Sequence, residues 1–243
     1  MKVDAARGHL VVSSAATPQT PGITEADRGK SAVHIFNLET GASVKKWEFA
    51  GIQRWFGDVA LGPDGTLYIS DSLQNELSTI PQGAGEPEAL VSHIDWPSPQ
   101  GITLSGDGAF LYLADYAMGL FRIDLKSKTV LALAPSPDLA PYGIDGLYFH
   151  KGALIAVQNG TNPQRVLRIT LNETGDEILS ADVLAANHPD FLEPTLGVIT
   201  GDTFHFVANS GWPHFNKPPE DPEALRKELP PIVVLEIDLA KSQ

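Results

Sequence analysis

The sequence predicts an all-β fold, a β-propeller of four-stranded blades, on three observations. A unit of strand, Gly/Asp turn, strand and polar cluster recurs along the chain; its interval is that of a propeller blade; and helical periodicity is almost absent. Four copies align directly: "GDVALGPDGTLYISDS" from Gly57, "QGITLSGDGAFLYLADYA" from Gln100, "DGLYFHKGALIAVQNG" from Asp145 and "LGVITGDTFHFVANSG" from Leu196. A fifth, "MKVDAARGHLVVSSAA", starts at Met1 and joins the pattern part-way. The polar clusters end at Asp71, Asp115, Asn159 and Asn209, so the steps between copies are 44, 44 and 50 residues.

Each element follows from its residues. The first strand of a unit alternates apolar and polar residues, and "PDG" or "GDG" then supplies the backbone a tight hairpin needs. The second strand is rich in Tyr, Val, Ile or Phe. A third strand shares its own signature, "AVHIFNLETG", "GLFRIDLKSK", "RVLRITLNETG" and "IVVLEIDLAKS", and a short fourth follows in "SVKKWEF" (43–49) and "TVLALAP" (129–135). Only "DPEALRKEL" (221–229) reads as helix, with Asp221 at the N-cap and Pro222 in the first turn. The five repeats form one domain over residues 1–243. The first starts on its inner strand and the last stops after its third. The ring therefore either closes on five blades with an imperfect seam or belongs to a six-bladed ring lacking its N-terminal blade, and the open blade edges offer a route to self-association.

Composition narrows the function. At 243 residues with 42% hydrophobic content the chain can bury a proper core. A formal charge of −13 argues against a nucleic-acid partner. The absence of cysteine removes disulfides, thiolate catalysis and Cys-ligated metals. No apolar run is long enough to span a membrane, and the N-terminus has no signal-peptide layout, so the chain as written is expected in the cytoplasm, or in the periplasm or secreted if an export signal has been removed.

A propeller gathers the starts of its inner strands and the loops leaving its second strands at one end of the central channel. This predicts a funnel ringed by Asp58, Gln100, Asp145 and Leu196 from the first group and Asp71, Asp115, Asn159 and Asn209 from the second. Carboxylates and amides are hard oxygen donors suited to Ca²⁺ or Mg²⁺. Against this stands the ordinary use of Asp as a turn cap, which suits Asp71 in "SDS" and Asp115 in "ADY". Asp145, between Ile144 and Gly146, is the strongest functional candidate, because a buried carboxylate needs a partner. The histidines form no cluster, and no nucleophile elbow, zinc-protease helix motif or phosphate-binding loop occurs. Two long proline-containing insertions, 14–31 and 210–231, leave second strands on the funnel side, and Trp212, His214 and Phe215 would give the second an aromatic underside for a substrate.

"SPQGITLSGDGAFLYLADY" and "GIDGLY" resemble the blades of the gluconolactonase, regucalcin and strictosidine-synthase-like group of six-bladed propellers. The resemblance implies one divalent metal, often Ca²⁺, on the funnel floor. The family's Asp falls on Asp145, and its Asn position falls on Gln100. Its Glu would lie in a first blade that has no counterpart here, a position that Glu193 in "LEPT" does not match. Asn159 and Asp115 would orient metal or substrate, with Asp58, Asn209, Trp212 and His214 completing the substrate-binding wall. The implied activity is metal-assisted hydrolysis of small lactones or esters. The alternative is a non-catalytic propeller that binds a small ligand or a protein through the funnel and its long loops.

Overall fold

A computed structural model describes residues 1–20, 22–49, 52–83, 86–93, 95–137, 139–215 and 221–241. Alternating side chains let each repeat unit fold as an antiparallel sheet whose two faces meet neighbouring blades. The first sheet is β1 (Lys2–Asp4), β2 (His9–Ala15), β3 (Ser31–Asn37) and β4 (Ser43–Phe49), in that spatial order. The second is β5 (Phe56–Leu61), β6 (Leu67–Asp71), β7 (Glu76–Ile80) and β8 (Glu88–Ser92). The third holds β9 (Pro99–Leu104), β10 (Phe110–Asp115), β11 (Gly119–Asp124) and β12 (Val130–Ala132). The fourth holds β13 (Ile144–His150), β14 (Ala153–Gln158), β15 (Arg165–Leu171) and β16 (Ile178–Ala186). The fifth has three strands, β17 (Gly197–Thr200), β18 (Thr203–Val207) and β19 (Val234–Asp238).

This is a five-bladed β-propeller, four blades four-stranded and the last three-stranded. Inner strands of successive blades touch from the first to the fifth; among the described residues no comparable contact joins β17 to β1. The expected helix is present as α1 (Pro222–Glu228), with the Asp221 carboxylate accepting from Glu223 N and Ala224 N. No helix among the described residues is long and apolar enough to cross a membrane.

The core lies between blades. Val11, Val33 and Trp47 of the first blade pack on Phe56, Val59, Leu67 and Ile69 of the second. Ala60 and Leu77 meet Ile102, Leu111 and Leu113 around the buried Trp96. Ala114 and Leu120 meet Leu147, Leu154 and Leu167, and Tyr148, Ile155 and Val157 meet Phe204 and Phe206. Each buried Leu, Ile or Val side chain contributes about 1.5–3 kcal/mol, so the ring is held by four apolar seams.

Polar clamps fix where each blade begins. Asp71 accepts from Trp55 N (3.0 Å), Leu73 N (3.0 Å) and Gln74 N (3.3 Å), and Arg54 closes its other oxygen at 2.9 Å. Asp115 repeats the device, accepting from Ser98 N (2.8 Å), Ala117 N (3.0 Å) and Met118 N (2.9 Å). The fourth blade uses an amide instead: Gln158 Nε2 donates to Ala140 O (2.7 Å), and its Oε1 accepts from Arg165 Nε (2.6 Å). Register explains the choice, since Phe56, Pro99 and Ile144 pair with Asp71, Asp115 and Gln158. Gln158, and not Asn159, thus occupies the Asp71 and Asp115 position.

Asp115→Ala strips acceptors from three backbone N–H groups beside a fully buried side chain. It should cost about 2–4 kcal/mol and lower the calorimetric midpoint by roughly 5–15 °C. A fall under about 2 °C would contradict the clamp.

Candidate functional site

Asp145 leaves the strand ladder because its strand slips. Ile144 pairs with Gln158 and Gly146 with Val157, which leaves Asp145 as an unpaired bulge residue at the head of β13. Gly146 permits the close packing that follows, since a Cβ there would lie 3.2 Å from the Tyr148 ring. The Asp145 carboxylate is partly accessible, and its Oδ2 accepts from Thr195 Oγ1 (2.7 Å) and Asn159 Nδ2 (3.0 Å). Asn159 Nδ2 also donates to Pro194 O at 2.9 Å, while its Oδ1 accepts from Tyr116 OH at 2.9 Å. A carbonyl on one side and a hydroxyl on the other set the amide's orientation. Among the described residues, Asp145 Oδ1 accepts no hydrogen bond.

The segment Glu193-Pro194-Thr195 wraps this carboxylate. Glu193 has φ +60°, a left-handed backbone uncommon for a side-chain-bearing residue. It is held there by Gln164 Oε1, which accepts from Glu193 N at 3.1 Å, and by Ser210 N, which donates to Glu193 O at 3.2 Å. Gln164 Nε2 donates in turn to Asn159 O at 3.4 Å, tying the loop to the Asn159 corner. Such strain is of order 1 kcal/mol and persists only where the surroundings enforce it. Burial pushes the Asp145 carboxyl above its ordinary value, opposed by the Thr195 and Asn159 hydrogen bonds and assisted by the Asp58 charge. Burial also raises Glu193, with the Asp145 charge adding to it. The Tyr116 phenol is raised by burial and then by both carboxylates. Two carboxyls and a phenol therefore share one field.

Deeper in the channel, Asp58 is 2% exposed. Its Oδ1 accepts from Val59 N (2.8 Å), its Oδ2 from Ile102 N (3.4 Å), and Lys2 Nζ lies 3.6 Å from Oδ2. The Lys2 ammonium also sits 4.8 Å above the Tyr148 ring centroid. Tyr148 OH accepts from Gly197 N at 2.6 Å, and burial, then Asp58, raise its pKa well above the usual phenol value. Burial pushes the Met1 amine down, with Asp58 pulling the other way.

The remaining sequence-selected residues are placed as follows. Gln100 holds the same ladder position as Asp145 but turns away, its Nε2 donating to Ser98 Oγ (3.1 Å) and Ser72 Oγ (3.4 Å). Asp115 is committed to its clamp. Asn209 clamps the start of β19, donating to Pro231 O (2.8 Å) and accepting from Val233 N (2.7 Å). Trp212 and His214 lie on a 3-10 turn, Trp212–Phe215, whose exposed rings follow directly after the Gly211 N to Leu192 O bond. Residues 216–220 of that insertion lie outside the described residues. Asp145 and Asn159 are thus brought together, joined by Tyr116, Glu193 and Thr195. Sequence reading missed Tyr116 and Thr195 and set Glu193 aside as a metal ligand; the one signal for Glu193 was its place just before the fifth inner strand.

A family-like metal set does not fit these side chains. Asn159 turns its N–H₂ towards Asp145, Gln100 points elsewhere, and Lys2 already brings a positive charge to Asp58. Among the described residues no group of three or more His, Cys, Asp or Glu side chains could hold a metal ion.

No family model matches the chain, and no curated protein does. Solved structures match by fold. A chain of a nidogen/laminin complex aligns with TM-score 0.60 at 17% identity, covering 74% of this chain and 67% of that one. A streptogramin B lyase aligns with TM-score 0.56 at 16% identity over 76% of this chain, which spans 57% of the lyase. Regucalcin from Agrobacterium tumefaciens, described as a calcium-binding protein, aligns with TM-score 0.54 at 14% identity, covering 89% of this chain and 75% of its own. These likenesses establish the propeller fold, which hosts enzymes and non-catalytic binders alike.

The raised Asp145 value fixes the sign of a stability test. A carboxyl whose folded-state pKa is raised favours the fold at low pH, and that contribution is lost as pH rises through the raised value. Asp145→Asn should therefore melt higher than wild type at pH 8, by roughly 2–4 °C. The gain should shrink to nothing below the ordinary carboxylate range near pH 4. Thermal scans across pH check this, and a variant less stable at pH 8 would refute it.

Proposed function

We propose that the funnel binds a small ester or lactone and hydrolyses it by carboxyl acid–base chemistry centred on Asp145. The observation that carries this reading is a carboxylate oriented by Thr195 and Asn159, whose Oδ1 accepts no hydrogen bond among the described residues, with Glu193 in the same field. Raised carboxyl pKa values in a concave site suit proton transfer near neutral pH. Asp145 Oδ1 accepts a proton from a water, whose oxygen bonds to the carbonyl carbon. The C–O bond to the leaving group then breaks, a proton from the Glu193 carboxyl goes to the departing oxygen, and proton exchange with water moves the Asp145 proton back to Glu193, so one water is consumed, acid and alcohol are released and both carboxyls are restored. Tyr116, the exposed ring of Trp212 and the half-buried ring of Phe215 offer contact surface for the substrate. A second reading, a funnel that binds a small ligand without turnover, is favoured by the exposed Trp212 ring beside Phe215, an aromatic surface that serves binding and no chemistry.

A panel of small lactones and esters tests the proposal. Turnover is expected, with Asp145→Asn and Glu193→Gln each lowering kcat by about 100-fold or more. The acidic limb of the pH–rate profile should lie above the ordinary carboxylate range, because activity is lost as pH falls through the raised Asp145 value. No turnover across the panel, or full activity in Asp145→Asn, removes the hydrolytic reading; ligand-induced quenching of Trp212 fluorescence without turnover would support the second.

A further inference from the structure

The acidic channel contains one side chain that the acid–base reading does not use. Lys2 leaves the inner strand of the first blade, meets Asp58 of the second blade at 3.6 Å and lies 4.8 Å over the Tyr148 ring of the fourth. Its side chain is 22% exposed, so the ammonium is drawn in from the rim and not left in solvent. Asp145 senses the Asp58 charge, and Tyr148 senses both. Other cations in contact with acids serve the scaffold instead: Arg54 clamps Asp71 and Glu76, and Arg7 clamps Asp4.

We propose that Lys2 is a resident cation of the channel, balancing Asp58 so that the funnel holds its ligand without a bound divalent metal. A carboxylate on one side and an aromatic face on the other form a made-to-measure ammonium site. For a divalent ion to enter, Lys2 would have to leave Asp58, and Asn159 would have to turn its oxygen inward, giving up its bonds to Pro194 O and from Tyr116 OH. Like-charge repulsion from the ammonium opposes the ion further. This deepens the reading of the same site, but its test is a binding measurement, so either idea can fail while the other stands.

The test is titration of the purified chain with CaCl₂ and MnCl₂ by calorimetry, with Tb³⁺ luminescence as a second probe. Wild type should bind Ca²⁺ and Mn²⁺ more weakly than about 1 mM, the weak end of protein calcium sites. Lys2→Met, checked for folding by circular dichroism, should bind Ca²⁺ at least about tenfold tighter than wild type. The gain should vanish when Asp58→Asn is added, and Lys2→Arg, which keeps the charge, should behave as wild type. A stoichiometric wild-type site tighter than that limit, lost in Asp145→Asn, would overturn the proposal, as would a folded Lys2→Met that gains no affinity. Should Lys2→Met fail to fold, the wild-type titration alone decides by the same limit.

Discussion

The carboxamide of Asn159 is the joint on which the site depends. Its oxygen takes the Tyr116 hydroxyl from the third blade, and its nitrogen gives one bond to Asp145 of its own blade and one to Pro194 ahead of the fifth. A flat amide with two donors and an acceptor can satisfy three blades at once only in one orientation. That orientation decides the chemistry. With N–H₂ facing Asp145, the pair is a hydrogen-bonded carboxylate awaiting a proton; with the oxygen facing inward it would be half of a cation site. The neighbouring carbonyl of Pro194, placed by a strained Glu193, selects the first.

What was legible in the sequence was local. Alternating strands and Gly/Asp turns act over a few residues, so five repeats, their order and even the Asp221 helix cap could be read directly. Asp145 was legible because a lone acid between Ile144 and Gly146 has no local use. The bulge at Asp145 was not. The same slip recurs after Phe56 and Pro99, and the ladder sets Gln158 level with Asp71 and Asp115, leaving Asn159 one residue beyond. An alignment of repeats keeps Asn159 level with Asp71 and Asp115 and so assigns them one role. Glu193 and Lys2 were harder still, since their meaning comes from Gln164, Ser210, Asp58 and Tyr148 in other loops or blades.

The acids divide by what their oxygens do. Asp71 and Asp115 are fully buried, yet every hydrogen bond they accept stabilises the turn or strand beside them. Such a carboxylate is scaffold, its oxygens taken up by the N–H donors around it. Asp145 has two side-chain donors on one oxygen and none on the other among the described residues, so burial outweighs them and its pKa rises. The same residue type thus acts as clamp in two blades and stands in a third with one oxygen unpaired among the described residues.

That division bears on why the chain tolerates the arrangement. A partly buried carboxylate with an open lone pair, a second acid in its field and a non-glycine residue at φ +60° all weaken the fold. Folding alone would favour an amide at Asp145 and a glycine at Glu193. The apolar seams between blades supply the margin that lets the funnel keep them. Left-handed non-glycine backbone recurs at Asn75, Lys128, Lys151 and Asn187, so strain alone does not single out Glu193. What sets the Asp145 corner apart from those at Asp71 and Asp115 is that a carboxylate oxygen there has no donor among the described residues, whereas the other two are satisfied largely by backbone N–H groups; that difference is the physical ground of the proposed site.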